Sequence, residues 1–562
     1  MAIKPTAESA SEAVASIRAL LDRNDVPAAA SLLDEARERW PRDTALILTK
    51  GDVLARLEGH DAAAAHYADL LASGTGLPWP AGRILALLQS GPLSPAVAAT
   101  VASACAASAL DERMKQGLLH ELVVKSCPED RLALLESFAP TCGLFRFELR
   151  LAIAYTERGD AEAALQVLER AEHEGRSTPQ GRVLRAELLA LHHSLAEGIA
   201  ALEKLKADAP DYTDLYRRLV MFHQRAGNFD RAADLLDEAI ARWPIDWMVL
   251  YRLNRMTLER SRLLRLFARV KEASTPVDAK DSRFRYQFAL ASLDAGEIDE
   301  GIALLNQPFD EPVASLLRPV AAAVRSRPPA WWRSRARLRD DRTADVQAVR
   351  AEGRARATVI VMAGALFGNL PLTFLDALLA PHDVNTVYVR DFRKRAFLTG
   401  IASLGADEPQ SVANLQRLVE DLGAPRTIVL GSSSGGFSAL RYGALLGADD
   451  AISFAGPTLA SSFFGSTAAS VWNPSYLVHL LLQREKDLPF DLVPLLQSPS
   501  RTRFHQYYGT DNAEDVAQAQ RIAGLANVLL RPVAGVADHL VVDHLIADGA
   551  FDALLDSLCR GS

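Results

Sequence analysis

Two segments of the chain, "GDAEAALQVLERAEHEG" from Gly159 and "GNFDRAADLLDEAIARWP" from Gly227, repeat one pattern 68 positions apart. A third copy, "NDVPAAASLLDEARERWP", begins at Asn24, and weaker ones begin at His193 ("HSLAEGIAALEKL") and Gly296 ("GEIDEGIALLNQP"). Alanines and leucines recur in each at helical spacing. The small residues let two helices of a hairpin approach closely, and the proline closing two of the copies ends the second helix. Each hairpin carries an apolar face that only its neighbour can cover, so this half of the chain is constrained to stack as a curved helical array.

The spacing of 68 residues is twice a 34-residue period. In the unit around Gly227, Tyr216, Leu219, Ala232, Leu236, Ala239 and Pro244 fall at consensus positions. The copy at Asn24 keeps Ala29, Leu33, Ala36 and Pro41 in the same register, whereas turns between about 75 and 140 are irregular. The region resembles the tetratricopeptide repeat family. The resemblance implies a concave groove for a protein partner or substrate, or an array that supports the rest of the chain. The adjacent His192 and His193 read as surface or core histidines rather than metal ligands.

The chain has 562 residues, too many for one ordinary domain, with 49% hydrophobic and 23% charged residues and a formal net charge of −8. An acidic balance argues against a general nucleic-acid binder. Cys105, Cys127, Cys142 and Cys559 form no C-x-x-C pair and no zinc spacing, so they read as buried thiols with no metal. No signal-type apolar region opens the chain and no run of about 18 apolar residues follows, so the expected setting is cytoplasmic, without a membrane span.

Between Arg325 and Arg356, ten arginines face four acids, and Pro328 and Pro329 break the helical pattern. The expected organisation is therefore a repeat array over 1–310, a Pro/Arg-rich linker over 311–355 and a second domain over 356–562. The linker either packs Trp331 and Trp332 onto one domain or offers an arginine patch for anions.

From Thr358 onward, apolar β-branched runs alternate with helical segments: "TVIVMAG", "NTVYVRD", "TIVLGS", "AISFAG", "FHQYYG" and "NVLLRPVAG". This alternation predicts a parallel sheet with helices on both faces and ligands at the carboxyl ends of its strands. The run "TIVLGSSSGGFSAL" places Gly431-Ser432-Ser433-Ser434-Gly435, a G-x-S-x-G frame, between a strand and a helix. In such a turn the central serine is pushed into a strained conformation, its neighbours two residues either side must be small, and it faces a helix N-terminus. Ser433 fits best, and Ser434 has small flanks too. A phosphate-cradling turn would need a following G-K-[ST], which is absent, and no cofactor is expected.

Residues 356–562 resemble the α/β-hydrolase family, whose catalytic order is serine, acid, histidine. The resemblance implies Asp511, directly after "FHQYYG", as acid and His539, after "NVLLRPVAG", as base, with Asp515, Asp538 and His544 as competitors. Backbone N–H groups of Ser434 and of Ala365 or Leu366 would form the oxyanion hole. Two strands that lead the sheet in larger members are not evident. The implied activity is a serine esterase or thioesterase, or an acyltransferase using the same triad, with a non-catalytic scaffold as the rival. Arg390, Arg393, Lys394 and Arg395 follow a strand end and form a candidate clamp for an anionic acyl substrate. The insertion 459–500 is a candidate lid.

Overall fold

A computed structural model describes residues 8–73, 78–138, 144, 146–274, 281–311, 313–363, 370–393, 395–459 and 488–560. The chain forms two compact units, Met1–Arg185 and Ala186–Ser562. The division falls within the helix Pro179–His192, and the later repeats share a unit with the sheet.

In the first unit the copy at Asn24 forms the helix Val26–Arg39, capped by the Asp25 side chain on the Ala28 N–H, and the copy at Gly159 forms Ala161–His173, capped likewise by Asp160. In the second unit the copy at Gly227 forms Phe229–Arg242, with Ala232, Ala233, Leu236 and Ala239 buried. Close packing decides the residue at Gly198, on the helix Leu195–Asp208: a Cβ there would meet the Ala190 Cβ at 2.5 Å and the Ala186 carbonyl oxygen at 2.7 Å.

The sheet has seven strands: β1 (Val346–Val349), β2 (Ala357–Ala363), β3 (Val384–Arg390), β4 (Thr427–Ser432), β5 (Asp450–Phe454), β6 (Arg503–Gly509) and β7 (Val528–Val533). Their order is β1-β3-β2-β4-β5-β6-β7. Among the described residues, only β1 is antiparallel to its neighbour in this sheet. β2 and β5 are buried along their whole length, as expected of central strands covered on both faces. The six parallel strands coincide with the six apolar runs of the sequence. β1 was not anticipated: "VQAV" is only four residues long and half-buried, too short to show a period. It is one leading strand that the sequence reading did not find.

The Pro/Arg-rich segment is not a solvated tether. It forms the helices Val313–Arg325 and Pro329–Arg335 before β1. Trp332 is buried, with its ring 4.8 Å from that of Phe374 in an edge-on contact, and Trp331 meets the same ring at 6.2 Å. Three of its arginines are spent on the protein. Arg337 pairs with buried Asp376 at 3.1 Å, Arg327 pairs with Asp552, and Arg342 pairs with Asp294 while donating to the Leu253 and Asn254 carbonyls at 3.2 and 3.0 Å. The anion-patch alternative therefore fails for these three side chains. Trp332→Ala is expected to lower the unfolding free energy by about 3–5 kcal/mol, as large buried aromatics do. Wild-type protein should resist limited proteolysis between 329 and 349. Rapid cutting there, with Trp332→Ala as stable as wild type, would contradict the packed segment.

Among the described residues no helix is long and apolar enough to cross a membrane. Cys105 and Cys559 are buried thiols, but Cys127 is only partly buried, at the start of the helix Pro128–Glu136. Cys142 lies outside the described residues.

Candidate active site

β4 delivers Ser433 to the N-terminus of the helix Ser434–Leu446, a helix buried through most of its length. Ser433 has φ +56° and ψ −126°, a conformation that costs a non-glycine residue roughly 1–3 kcal/mol. The surrounding glycines show what holds it there. A Cβ on Gly431 would stand 2.1 Å from the Gly435 carbonyl oxygen, and one on Gly436 would meet the Ser453 Oγ at 2.6 Å and the Gly456 Cα at 2.9 Å. The strand and helix thus close on each other with no room for a side chain. The Ser433 N–H donates to the Phe454 carbonyl at 2.9 Å, which ties the turn to the end of β5. The loop after β3 braces the helix from outside: the Ser438 hydroxyl donates to the Ala396 carbonyl and the Tyr442 hydroxyl to the Phe397 carbonyl, both at 3.0 Å.

The carboxyl ends of β5, β6 and β7 lie along the same edge as that of β4, because these strands are parallel. His539 stands in the loop after β7, and its Nδ1 lies 2.8 Å from the Oδ1 of Asp515. Asp515 is buried in the first turn of the helix Ala513–Gln520, capped by the Asn512 side chain on the Glu514 and Asp515 N–H groups. A carboxylate there is favoured by the helix dipole. The same helix is fastened to the segment after β5, where Gln518 accepts from the Thr458 N–H at 2.8 Å, and the Gln506 amide of β6 donates to the Gly456 carbonyl at 3.0 Å. Gly456 in turn abuts Gly436 of the serine turn. A continuous set of contacts therefore runs from the Ser433 turn through the end of β5 to the Asp515–His539 pair.

Asp511, the acid expected from position, is not what His539 pairs with. Its side chain is exposed and accepts from the Thr510 hydroxyl at 2.8 Å. The residue lies in the tight turn that follows β6, with its N–H on the Val536 carbonyl, which directs the carboxylate to solvent. Asp538 is also engaged elsewhere, 2.9 Å from the Nε2 of His544. The signal for Asp515 was present in "TDNAED": Asn512 is a helix cap, and the acid three residues on sits in the helix's first turn, facing back toward the strand ends. Ser434 opens the helix after the serine. Ala365 and Leu366 lie outside the described residues, as do Lys394 and most of the proposed lid, 460–487.

Two members of the arginine clamp, Arg390 and Arg393, are engaged within the chain. Arg390 pairs with buried Asp340 and donates to the Ala344 carbonyl at 3.2 Å and the Gln347 side chain at 3.0 Å, anchoring the segment before β1. Arg393 donates to the carbonyls of Thr399, Ala406 and Gly405, closing the loop after β3. Both forks are committed to the chain's own acceptors. Arg395 is half-buried and faces another cation, Arg225, whose pKa falls to about 10 chiefly through burial and then through that repulsion.

The helix Val541–Ala547, which follows His539, carries Asp543 fully inward. Burial, and secondarily Asp538, pushes this carboxyl up to about 7. The folded protein therefore keeps a proton that the unfolded chain has lost. The stabilisation is complete below about pH 4, declines as pH rises toward 7, and is flat beyond, a difference of order 3–4 kcal/mol. Glu187, also raised to about 7 mainly by burial, acts in the same direction. Urea unfolding at pH 5 and pH 8 should show the loss, and Asp543→Asn should reduce it. An unchanged difference would remove Asp543 as its source.

Among the described residues no cluster of three or more His, Cys, Asp or Glu side chains could hold a metal ion. A model of the tetratricopeptide repeat matches residues 14–78 and 220–265. No curated protein matches the sequence. Among solved structures, the capsule O-acetyltransferase of Neisseria meningitidis serogroup A is similar at 15% identity and a TM-score of 0.29, covering 38% of this chain and 91% of that one. MenH from S. aureus is similar at 12% identity and a TM-score of 0.26, covering 38% and 98%. A tetratricopeptide repeat protein from Parabacteroides merdae is similar at 15% identity and a TM-score of 0.21, covering 55% and 98%. The chain joins a helical region, matched in part by the tetratricopeptide repeat model, to a mostly parallel sheet.

Proposed function

We propose that residues 356–562 form a serine acyl hydrolase working through Ser433, His539 and Asp515. The observation that carries the reading is the pairing of a strained serine turn with a histidine–carboxylate pair on the same sheet edge, joined by continuous contacts. Ser433 attacks an ester or thioester carbonyl and His539 takes its proton. Asp515 holds the imidazole with Nδ1 protonated, so that Nε2 is the accepting nitrogen. The tetrahedral oxyanion forms at the helix N-terminus, where the Ser434 N–H and the dipole favour negative charge. His539 then returns the proton to the leaving group, and a second nucleophile releases the acyl-enzyme. Water gives hydrolysis and a hydroxyl acceptor gives acyl transfer; the first half is identical. The repeats serve as a surface for a protein partner or substrate, the role such arrays commonly take.

The test is covalent labelling. A fluorophosphonate probe should modify the purified wild-type chain, and peptide mapping should place the adduct on Ser433. An intact, folded protein that takes no label, and turns over neither esters nor thioesters, would leave a scaffold that keeps the fold.

A further inference from the structure

The helix Trp247–Leu253 ends beside two arginines that differ from the rest. Arg252 and Arg255 lie three residues apart, joined by the Arg255 N–H donating to the Arg252 carbonyl at 3.0 Å. Both guanidiniums lie against the Tyr251 ring, 5.5 and 3.8 Å from its centroid. Other arginines of this region have acids: Arg217 pairs with Asp214, Arg342 with Asp294, and Arg218 lies 2.8 Å from Glu187. Arg252 and Arg255 have none among the described residues. The Arg252 Nε and the Arg255 Nε and Nη1 are buried and make no hydrogen bond.

Local acceptors are already taken. The Leu253 and Asn254 carbonyls at the helix end accept from Arg342, and Glu187, pushed up to about 7 by burial, is a weak counter-ion at neutral pH. Across from Arg255, the Tyr286 hydroxyl is also buried without a partner. Its pKa is raised by burial and then by the nearby Asp543 carboxyl, so it stays protonated and can donate. Burial lowers the Arg252 pKa to about 10, with Tyr251 opposing the shift and Arg218, Arg217 and Arg255 adding to it. The unmet groups of the two arginines and Tyr286 are thus N–H and O–H donors; the one carboxyl acting on Tyr286, Asp543, is itself pushed up to about 7 by burial. Buried polar groups without partners are costly. The missing group must be an acceptor with several oxygens and a negative charge.

We propose that Arg252, Arg255 and Tyr286 form an anion-binding site that takes the phosphate or carboxylate of a small ligand. Planar forks suit either group bidentately, and the Tyr251 ring holds both forks in place. The site does not depend on Ser433 chemistry.

The experiment uses the full chain in a phosphate-free, low-chloride buffer, with inorganic phosphate, pyrophosphate and succinate as probes followed by calorimetry and thermal unfolding. At least one probe should bind saturably and raise the Tm as a ligand of the native state does. Arg255→Gln should weaken it at least about tenfold, a typical loss for a charged hydrogen-bond donor. Ser433→Ala should bind as wild type does. Phosphate binding without succinate binding would assign a phosphate ligand, and the reverse a carboxylate. Without probe, Arg255→Gln should be at least as stable as wild type, since a cation with no acid partner among the described residues has been removed. If Arg255→Gln fails to fold, Tyr286→Phe gives the reading, with a weakening of about threefold or more. No saturable binding by wild type, or equal affinity in these variants, would overturn the site.

Discussion

Ser433→Ala should lose fluorophosphonate labelling completely, and ester or thioester turnover should fall by on the order of 10⁴–10⁶. The size of the effect follows from the removal of the only atom that makes the covalent bond. The fold should survive, because the turn is held by backbone closure between Gly431 and Gly435 and by the Ser433 N–H bond to Phe454, none of which needs the hydroxyl. Ser433→Gly makes a useful companion. It removes the same nucleophile but relieves a positive φ of 56°, so it should be more stable than Ser433→Ala by about 1 kcal/mol. Labelling that persists in Ser433→Ala and disappears in Ser434→Ala would move the nucleophile by one residue.

The parallel sheet was legible because its strands are buried on both faces and therefore read as unbroken apolar runs; "TVIVMA" and "DAISF" admit little else once Gly and helical segments flank them. The repeat copies were legible because their alanines are forced by close helix packing, as at Ala232 and Ala239. What remained hidden was pairing at a distance. A stretch dense in arginine looks like a solvated tether until Asp294, Asp376 and Asp552, up to 225 residues away in sequence, are brought beside it. The same holds for Arg390 and Arg393, where cations that looked available proved to be holding the loop's own carbonyls and Asp340. Conversely, nothing in "YRLNR" distinguishes Arg252 and Arg255 from ordinary helix-end cations; their lack of acids appears only when Asp214 and Asp294 are seen paired with Arg217 and Arg342.

Asp515→Asn should lower turnover by about 10³–10⁴, whereas Asp511→Asn should leave it within a factor of about three. Both residues follow β6 and both are aspartates, so the comparison isolates geometry from chemistry. The Asp515 carboxylate accepts from the His539 Nδ1–H at 2.8 Å from a buried position, which fixes the tautomer whose Nε2 can take the serine proton. An asparagine there can offer its N–H₂ to Nδ1 instead, which stabilises the opposite tautomer and leaves Nε2 carrying the proton it should accept. The loss should therefore appear in kcat more than in KM, since the group acts on proton transfer and not on substrate binding. Asp511 is exposed and bonded to Thr510, and its removal costs only that contact. The histidines should divide in the same way: His539→Ala falls with Asp515→Asn, while His544→Ala loses only the Asp538 pair. Because Asp515 and His539 act as one unit, Asp515→Asn combined with His539→Ala should be little worse than His539→Ala alone. A ranking in which Asp511→Asn is the damaging change, or in which the double variant loses the product of the two single effects, would break the assignment of the acid.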